Sequence, residues 1–383
     1  KKFKKYKKEI NENLMTDLKF SSKNELKLLL KTEKYKKIFI ICGEKSFIHS
    51  GAKKLLNDLL INSQTYYFFK KHPYPDIIEL KQIINALRNY APNLIIAVGG
   101  GSVLDYAKVA NCLAENENLE EKIKSSTYNL NGNFSKLLAI PTTAGSGAEV
   151  TSNAVIYIDK IKYSVEGDKL KPDYFFLLPE LVIGASNKIK SSAGFDAIAQ
   201  SLESLISRKS NDKSINFAKK SLKISFKYYL DYLHKPNIEN TSAMCLAANL
   251  SGEAISISKT TAPHAVSYPF TSIYNISHGH AVSLTLNKFL TFNYKNINAN
   301  SADFDLNDRY KTIFNLSNTK NINSFDEFLI DLKKKANLES DFNKLGINLQ
   351  KDFSNIISGV NIMRLSNNPI KLDAENIKKI ILS

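Results

Sequence analysis

The sequence predicts an α/β domain built on a parallel sheet, followed by an all-α domain. Up to about residue 187, short apolar runs alternate with segments of helical spacing, a pattern typical of a parallel sheet covered by helices on both faces. Beyond residue 188 only the helical spacing recurs. With 383 residues, the chain is long enough for two domains. We place the boundary in KIKSSAGFD (188–196), which gives domains of residues 1–187 and 188–383.

The elements of the first domain alternate along the chain. Strands are predicted from KKIFIICG (36–43) and TYYFFK (65–70), and from the apolar starts of NLIIAVGGGS (93–102) and KLLAIPTTAGSG (136–147). Short apolar runs of this kind are typical of buried parallel strands. Helices are predicted for SGAKKLLNDLLINS (50–63) and PDIIELKQIINALRNYA (75–91), where apolar residues recur every three or four positions.

The second domain is predicted to be helical throughout. Apolar residues recur at helical spacing in four segments, which are 191–207, 214–233, 240–257 and 278–294. The remaining sequence continues the pattern, broken by Asn-rich connections. The chain shows neither an internal repeat nor a low-complexity linker.

Composition limits the classes of partner. The formal net charge is +16, but the basic residues are spread along the chain. The charge therefore indicates either a compositional bias or a preference for anionic ligands, and not a nucleic-acid module. No apolar run reaches the roughly 18 residues that cross a membrane, and the start KKFKKYKKEINEN lacks the apolar stretch of a secretory signal. The three cysteines form no disulfide framework. We expect a cytoplasmic protein that binds neither nucleic acid nor membrane.

Two glycine-rich turns suggest a nucleotide site. GGGSVLDYAK (99–108) follows a predicted strand and opens a helix, so its backbone can approach a pyrophosphate at the helix N terminus. PTTAGSGAEVT (141–151) is a second turn of this type, with three hydroxyl side chains. Neither turn is a Walker loop, because no GK[ST] follows. Two such turns in one α/β domain favour a phosphate-binding cleft.

The histidines suggest a metal site. The chain has six, and three of them, His264, His278 and His280, lie in one short segment. Upstream, Asp196 and Gln200 are four residues apart, which places them on one face of a helix. A carboxylate, an amide and two imidazoles can converge on a divalent metal, although an amide is a poor ligand for a transition metal.

Taken in order, the two glycine turns, the Asp196–Gln200 helix and the H-x13-H pair resemble the iron-containing (group III) alcohol dehydrogenase family, related to dehydroquinate synthase and glycerol dehydrogenase. The resemblance extends from about residue 10 to about residue 380. It implies a Rossmann-like N-terminal domain, a helical C-terminal domain, and a nicotinamide cofactor and metal in the cleft between them. The implied chemistry is hydride transfer between NAD(P)H and an aldehyde or primary alcohol.

The resemblance also implies which residues contact the cofactor. Lys162, ten residues before Pro172, matches the family's cofactor-contacting lysine. Many NAD-specific members carry Asp at the end of the first strand, where this chain has Gly43. We therefore predict a preference for NADPH over NADH, with the 2′-phosphate bound by Lys45 and Ser46; the alternative is that Gly43 only forms a tight turn. The implied cofactor-binding residues are Gly43, Lys45, Ser46, Gly99, Gly100, Gly101, Ser102, Asp105, Thr142, Thr143, Ser146 and Lys162.

The implied metal ligands are Asp196, Gln200, His264 and His278, and the candidate ions are Fe(II) and Zn(II). Because the family usually has His at the position of Gln200, three interpretations stay open. The amide oxygen ligates the metal, the amide holds a metal-bound water, or the site has lost its metal.

The segments FDAIAQSLESLIS, SKTTAPHAVSYPFTS and SHGHAVSLTL resemble the branch of this family that reduces phosphonoacetaldehyde to 2-hydroxyethylphosphonate. Lys259 is then a candidate to bind the phosphonate, or else it only ends a helix. Tyr268 stands where the family often has a His near the nicotinamide, and either delivers a proton or is structural. The candidate catalytic residues are His264, His278, His280, Tyr268 and Lys259.

Three alternatives to this function remain. They are reduction of a neutral short-chain aldehyde, a lyase reaction with bound NAD like that of dehydroquinate synthase, and nucleotide binding without metal or catalysis. The resemblance also implies a homodimer or a larger homo-oligomer.

Overall fold

The computed structural model describes residues 22–33, 35–130 and 132–383. The basic start of the chain lies outside the described residues. In the first half, the strands are β1 (Lys37–Gly43), β2 (Gln64–Lys70), β3 (Leu94–Gly99), β4 (Lys136–Pro141), β5 (Asn153–Ile158), β6 (Ile161–Glu166) and β7 (Tyr174–Phe175). The helices are α1 (Lys23–Thr32), α2 (Glu44–His49), α3 (Ala52–Leu59), α4 (Ile77–Tyr90), α5 (Gly101–Leu113), α6 (Leu119–Ser125) and α7 (Pro179–Val182), with a 3-10 turn at Asp168–Leu170.

Five of the strands form the predicted parallel sheet, in the order β2-β1-β3-β4-β7. Its central strands are buried on both faces, and a separate apolar core covers each face. The chain runs outward from β1 to β2 in one direction and from β3 to β4 in the other. Such a reversal opens a crevice at the carboxyl ends of the strands, where ligands of open α/β sheets bind. The predicted fold class is confirmed.

Two features of this half differ from the prediction. The helix predicted for 50–63 is shorter and follows a second helix, α2; Gly51 separates them with a φ of +84°, a conformation that glycine adopts without strain. The antiparallel hairpin of β5 and β6 was not predicted. Its second strand is mostly half-buried and lies outside the main sheet, so it lacks the continuous apolar run that marked the other strands.

The second half is helical. Its elements are α8 (Asn187–Ile206), α9 (Asp212–His234), α10 (Ile238–Ser258), α11 (Ala262–Tyr274), α12 (His278–Ser283), α13 (Leu286–Lys295), α14 (Leu306–Ser317), α15 (Ile322–Lys335), α16 (Leu349–Ser358), α17 (Ile362–Leu365) and α18 (Ala374–Leu382), with a 3-10 turn at Ile297–Ala299. Helices α8, α9 and α10 pack around a common apolar core. The segment predicted to contain the domain boundary lies in the first turns of α8, and the exact division stays a prediction.

The turn after β4 packs directly on the helical half. A Cβ on Gly145 would lie 2.6 Å from the carbonyl oxygen of Ala193 in α8. Gly147, with a φ of +62°, is equally close to Gly252 in α10, because a Cβ there would lie 2.5 Å from the Cα of Gly252. These contacts fix one wall of the sheet crevice against the helices. Within the part of the chain that the structure describes, no helix has the length and apolar character needed to cross a membrane.

Candidate metal and nucleotide site

A cleft of about 610 Å³ runs along the carboxyl edge of the sheet and is closed on the other side by the helical half. Most of the residues predicted to bind cofactor, metal or substrate line it. They are Ser46, Gly100, Gly101, Ser102, Asp105, Thr142, Thr143, Ser146, Lys162, Asp196, Gln200, Lys259, His264, Tyr268 and His278. Gly43, Lys45, Gly99 and His280 are not among the lining residues.

The two glycine turns meet at the centre of the cleft. A Cβ on Gly101 would lie 2.7 Å from Ser146 Oγ, and one on Gly100 would lie 3.4 Å from Thr143 Oγ1. Glycine therefore lets the turns approach each other while the backbone N–H groups at the start of α5 stay open to the cleft. A 13-residue helix that begins at such a cleft offers N–H donors and a positive dipole to a pyrophosphate. The residues present fit a dinucleotide.

At the sheet edge beside β1, the structure departs from the prediction. Lys45 lies on the exposed face of α2, away from the cleft. Ser46 does line the cleft, and a second lysine, Lys70 at the end of β2, lines it beside Ser46. Lys70 was not recognised in the sequence, because a lysine that closes a strand looks like an ordinary solvated end.

Three of the four predicted metal ligands converge. Ligand atoms of Asp196, His264 and His278 all lie within 4.8 Å of one another. Asp196 Oδ1 is 3.2 Å from His264 Nε2 and 3.8 Å from His278 Nε2. Burial alone would raise the pKa of Asp196, but the imidazoles of His278 and His264 hold it below its usual value. A carboxylate and two imidazoles are a suitable donor set for Fe(II) or Zn(II).

Glu203, which the sequence analysis missed, orients one of these ligands. Its fully buried carboxylate accepts hydrogen bonds from the backbone N–H groups of Thr261 (2.9 Å) and His264 (3.3 Å) and from the Thr261 hydroxyl (3.0 Å). Its second oxygen bonds His264 Nδ1. With the proton on Nδ1, the Nε2 lone pair of His264 faces Asp196 Oδ1. Two lone pairs face each other there unless a cation or a proton lies between them.

The pKa of His264 reflects this arrangement. Burial alone would lower it, but the carboxylates of Glu203 and Asp196 raise it to about 9. Without metal, a proton therefore lies between His264 Nε2 and Asp196 Oδ1 at neutral pH. A divalent cation in the same position satisfies both lone pairs, so the residues present fit a metal.

The Gln200 amide is held by hydrogen bonds at both of its polar atoms. Its Nε2 donates to Asp196 Oδ2 (3.2 Å) and to the carbonyl oxygen of Ser146 (3.4 Å). Its Oε1 accepts from the Ser251 hydroxyl (2.9 Å). The opposite orientation would set the amide oxygen against two other oxygens, so the hydrogen-bond partners determine which way the amide lies.

Gly279 lets the histidine-bearing helix approach Asp196. A Cβ at this position would collide with the carbonyl group of Ser192 and would lie 2.9 Å from Asp196 Cβ. Helix α12 therefore packs its first turn directly on α8, which places His278 beside Asp196. His280 points elsewhere: its Nε2 bonds the carbonyl oxygen of Glu339 (2.7 Å). The structure does not bring His280 to the site, and its predicted part in catalysis has no support here.

A cationic group, defined here as Lys162, Lys259 and Arg364, lies next to the metal ligands. Lys162 Nζ is 3.3 Å from the centre of the Tyr268 ring, which in turn stacks on His278 at 6.0 Å. One carboxylate, Glu166, pairs with Arg364 (2.7 Å) and Lys259 (3.5 Å). Burial, reinforced by Arg364, lowers the pKa of Lys162 to about 7. Lys259 and Arg364 thus share one carboxylate, whereas the carboxylates that favour the charge of Lys162 are those of Asp105 and Asp196.

A proline in α11 helps to place Arg364 at the site. Pro269 lies inside α11 and has no N–H, so the carbonyl oxygen of Ala265 keeps no helical partner. The backbone N–H of Asn361 donates to that oxygen (3.2 Å), and the Asn361 side chain caps α17, which carries Arg364. No sequence signal marked Arg364, because it lies about a hundred residues beyond the ligand segment.

Comparison with known proteins identifies the family. Residues 20–179 match the family model described as iron-containing alcohol dehydrogenase, and residues 190–383 match that of the Fe-containing alcohol dehydrogenase family, C-terminal. The 1-propanol dehydrogenase of Salmonella typhimurium is 30% identical over 269 residues, which cover 69% of each chain. The phosphonoacetaldehyde reductase of Streptomyces viridochromogenes is 31% identical over 218 residues, which cover 54% of this chain and 55% of that protein.

The fold also matches solved structures over almost the whole length. The sulfoacetaldehyde reductase of Bifidobacterium kashiwanohense, solved in complex with NAD+, superposes with a TM-score of 0.83 at 24% identity and covers 94% of both chains. Both halves of the chain thus match the same family, and the metal and nucleotide residues lie in one cleft. This protein belongs to the iron-containing alcohol dehydrogenase family and is an NAD(P)-dependent oxidoreductase.

Proposed function

We propose that the enzyme reduces phosphonoacetaldehyde to 2-hydroxyethylphosphonate with NAD(P)H. The observation that carries this proposal is the cationic group beside the metal ligands. Lys259 and Arg364 share one carboxylate, Glu166, and burial lowers the pKa of both Lys162 and Lys259. A dianion bound among them would offset that cost. A neutral aldehyde would leave that cost in place.

The backbone at Lys259 supports a ligand-binding role. Lys259 has a φ of +60° and a ψ of 174°, a region that L-residues with side chains rarely adopt. Strain of this kind persists only where the surrounding structure enforces it, and it clusters at ligand sites. The curated relative named phosphonoacetaldehyde reductase agrees with the proposal at 31% identity.

We further propose that Asp196, His264 and His278 hold the metal, while Gln200 fixes the Asp196 carboxylate by donating to it. When bound, the metal supplies a Lewis acid for the aldehyde oxygen and the nicotinamide supplies the hydride. The amide oxygen of Gln200 is occupied by Ser251, so this interpretation departs from a four-ligand site.

The chain itself positions the substrate. The cationic group holds the phosphonate beside Tyr268, whose ring contacts Lys162 on one side and stacks on the metal ligand His278. Thr260 and Arg364 hydrogen-bond the Tyr268 hydroxyl. Burial raises the pKa of Tyr268 to about 12, so the phenol keeps its proton at neutral pH and can donate a hydrogen bond to the oxygen that becomes the alcohol.

Substitution of Lys259 tests the role of the cationic group. Lys259→Gln keeps the length and polarity of the side chain but removes the charge, so we expect KM for phosphonoacetaldehyde to rise roughly 10- to 100-fold. KM for propionaldehyde should stay within about threefold, because that substrate makes no ionic contact. Lys219→Gln, at an exposed lysine of α9 that does not line the cleft, is the matched control and should leave both values unchanged.

A second candidate function is the reduction of a neutral short-chain aldehyde, which the 30% identity to a 1-propanol dehydrogenase favours. Equal changes of KM for both aldehydes in Lys259→Gln would support that candidate and oppose ours. The cytoplasmic location and the homodimeric or larger assembly are further proposals, and analytical ultracentrifugation tests the second.

A further inference from the structure

We propose that Ser164 is a further specificity-determining residue, whose hydroxyl donates to a phosphonate oxygen and thereby selects a tetrahedral anion over a planar carboxylate. The inference rests on the proposed function, since it concerns the end of the substrate that the cationic group holds. It adds to that group a neutral donor from the α/β half, next to the charges that Lys259 and Arg364 supply from the helical half.

Strand β6 turns one face toward the helical half. Alternate side chains of a strand point to opposite faces, and Lys162, Ser164 and Glu166 share one of them. Lys162 lies over the Tyr268 ring. Ser164 and Glu166 both accept hydrogen bonds from Arg364. This polar face of β6 is therefore the wall that the α/β half contributes to the cationic group.

Ser164 lies on the cleft side of this wall, and Glu166 lies behind it. Ser164, Lys259 and Arg364 line the cleft, whereas Glu166 is not among the lining residues. Burial alone would raise the pKa of Glu166, but the charges of Arg364 and Lys259 hold it below its usual value. The Glu166 carboxylate therefore stays charged and paired at neutral pH, so a substrate anion meets the donors from the cleft side.

The Ser164 hydroxyl can turn to a ligand at little cost. It accepts from Arg364 Nη2 at 3.2 Å and donates to Glu166 Oε1 at 3.2 Å. The bond to Glu166 is long, because a strong O–H···O bond measures roughly 2.7 Å. When the hydroxyl turns to a phosphonate oxygen, Glu166 still keeps its pairs with Arg364 and Lys259.

A tetrahedral anion can use all of these donors, whereas a planar one cannot. The Glu166 carboxylate shows what two oxygens in one plane can satisfy, since its Oε1 pairs with Arg364 and its Oε2 with Lys259. The Ser164 hydroxyl has to share the oxygen that Arg364 already holds. A phosphonate carries a third oxygen outside that plane, so it can offer one oxygen each to Arg364, Lys259 and Ser164.

Calorimetric titration of the Zn(II)-loaded enzyme with three small anions tests the inference without aldehyde turnover. Methylphosphonate and methanesulfonate are tetrahedral, whereas acetate is planar and carries the same charge as methanesulfonate. We expect the wild type to bind both tetrahedral anions more tightly than acetate. Ser164→Ala should weaken the binding of both tetrahedral anions roughly tenfold, and that of acetate by less than about threefold, because a hydrogen bond to a charged group is lost only with the former.

Two further variants control the result. Ser164→Thr keeps the hydroxyl on a β-branched residue suited to a strand, so its affinity for methylphosphonate should stay within about threefold of the wild-type value. Ser125→Ala removes an exposed hydroxyl at the end of α6, which does not line the cleft, and should leave all three affinities unchanged. Retained NADPH binding shows that each variant is folded.

The outcomes separate this inference from the proposed function. Equal methylphosphonate affinities of Ser164→Ala and the wild type would overturn the inference, and so would an equal loss for acetate or a wild type that binds acetate as tightly as methanesulfonate. The proposed function survives these results if the wild type still reduces phosphonoacetaldehyde. Conversely, an enzyme that binds methylphosphonate through Ser164 but does not reduce phosphonoacetaldehyde would refute the proposed function and leave the anion subsite in place.

Discussion

Replacing Glu203 by Gln tests how the chain prepares His264 to bind metal. Three donors converge on one oxygen of Glu203, namely two backbone N–H groups and the Thr261 hydroxyl. In Glu203→Gln these donors hold the amide oxygen in place, so the amide NH2 group faces His264 Nδ1. That nitrogen must then accept a hydrogen bond, which moves the imidazole proton to Nε2. The ligand atom that faces Asp196 loses its lone pair.

The size of the effect follows from this tautomer change. Loss of a carboxylate that orients a metal-bound histidine typically weakens metal binding 10- to 100-fold, or about 1.4 to 2.8 kcal/mol. We expect a loss in this range for Glu203→Gln, measured by competition with a chromophoric chelator at pH 7.5. Glu79→Gln is the matched control, since Glu79 is also buried and accepts three hydrogen bonds of its own, but lies in the α/β half. Equal metal affinities of Glu203→Gln and the wild type would refute the argument.

Three further predictions concern the same site. Gln200→Leu removes the donor to Asp196 but no proposed ligand, so it should weaken metal binding by less than about tenfold. Gln200→His should strengthen metal binding. A total loss of metal in the leucine variant would show that the amide is a ligand. Gly279→Ala should push α12 away from Ser192 and abolish stoichiometric metal binding in elemental analysis, and a fully loaded alanine variant would contradict the packing argument. The pKa of His264 is raised to about 9, while that of His278 lies well below its usual value, so metal must displace one proton below pH 9. The apparent Kd for the metal should therefore fall about tenfold for each pH unit between pH 6 and pH 8. A Kd that does not change with pH would contradict the raised pKa.

The sequence predicted the elements whose signal lies within a short stretch of neighbouring residues. The strands of the main sheet are continuous apolar runs because both of their faces are buried, and the glycine turns are conspicuous because a close backbone approach excludes other residues. The β5–β6 hairpin carries Lys162 and Glu166, but its strands are partly solvated and gave no comparable pattern. Alternation over so few residues is a weak signal.

The site was predictable where its residues share one element and unpredictable where they meet across the chain. Asp196 and Gln200 were recognised on one helix face, and Glu203 continues that face at the next turn, so a polar stripe on an otherwise apolar helix was a usable signal. Arg364 and Lys70 had no such signal, since each reaches the cleft through tertiary packing. The role of Gln200 was left open because the direction of an amide depends on its hydrogen-bond partners, which only the structure supplies.

The central claim is that the positive group beside the metal ligands selects an anionic aldehyde. Its most direct test is kcat/KM of the metal-loaded wild-type enzyme for phosphonoacetaldehyde and for propionaldehyde, followed as NADPH oxidation. The account predicts a preference for phosphonoacetaldehyde on the order of 100-fold or more, because only the anionic substrate offsets the cost of burying these cations. An equal or higher kcat/KM for propionaldehyde would contradict it.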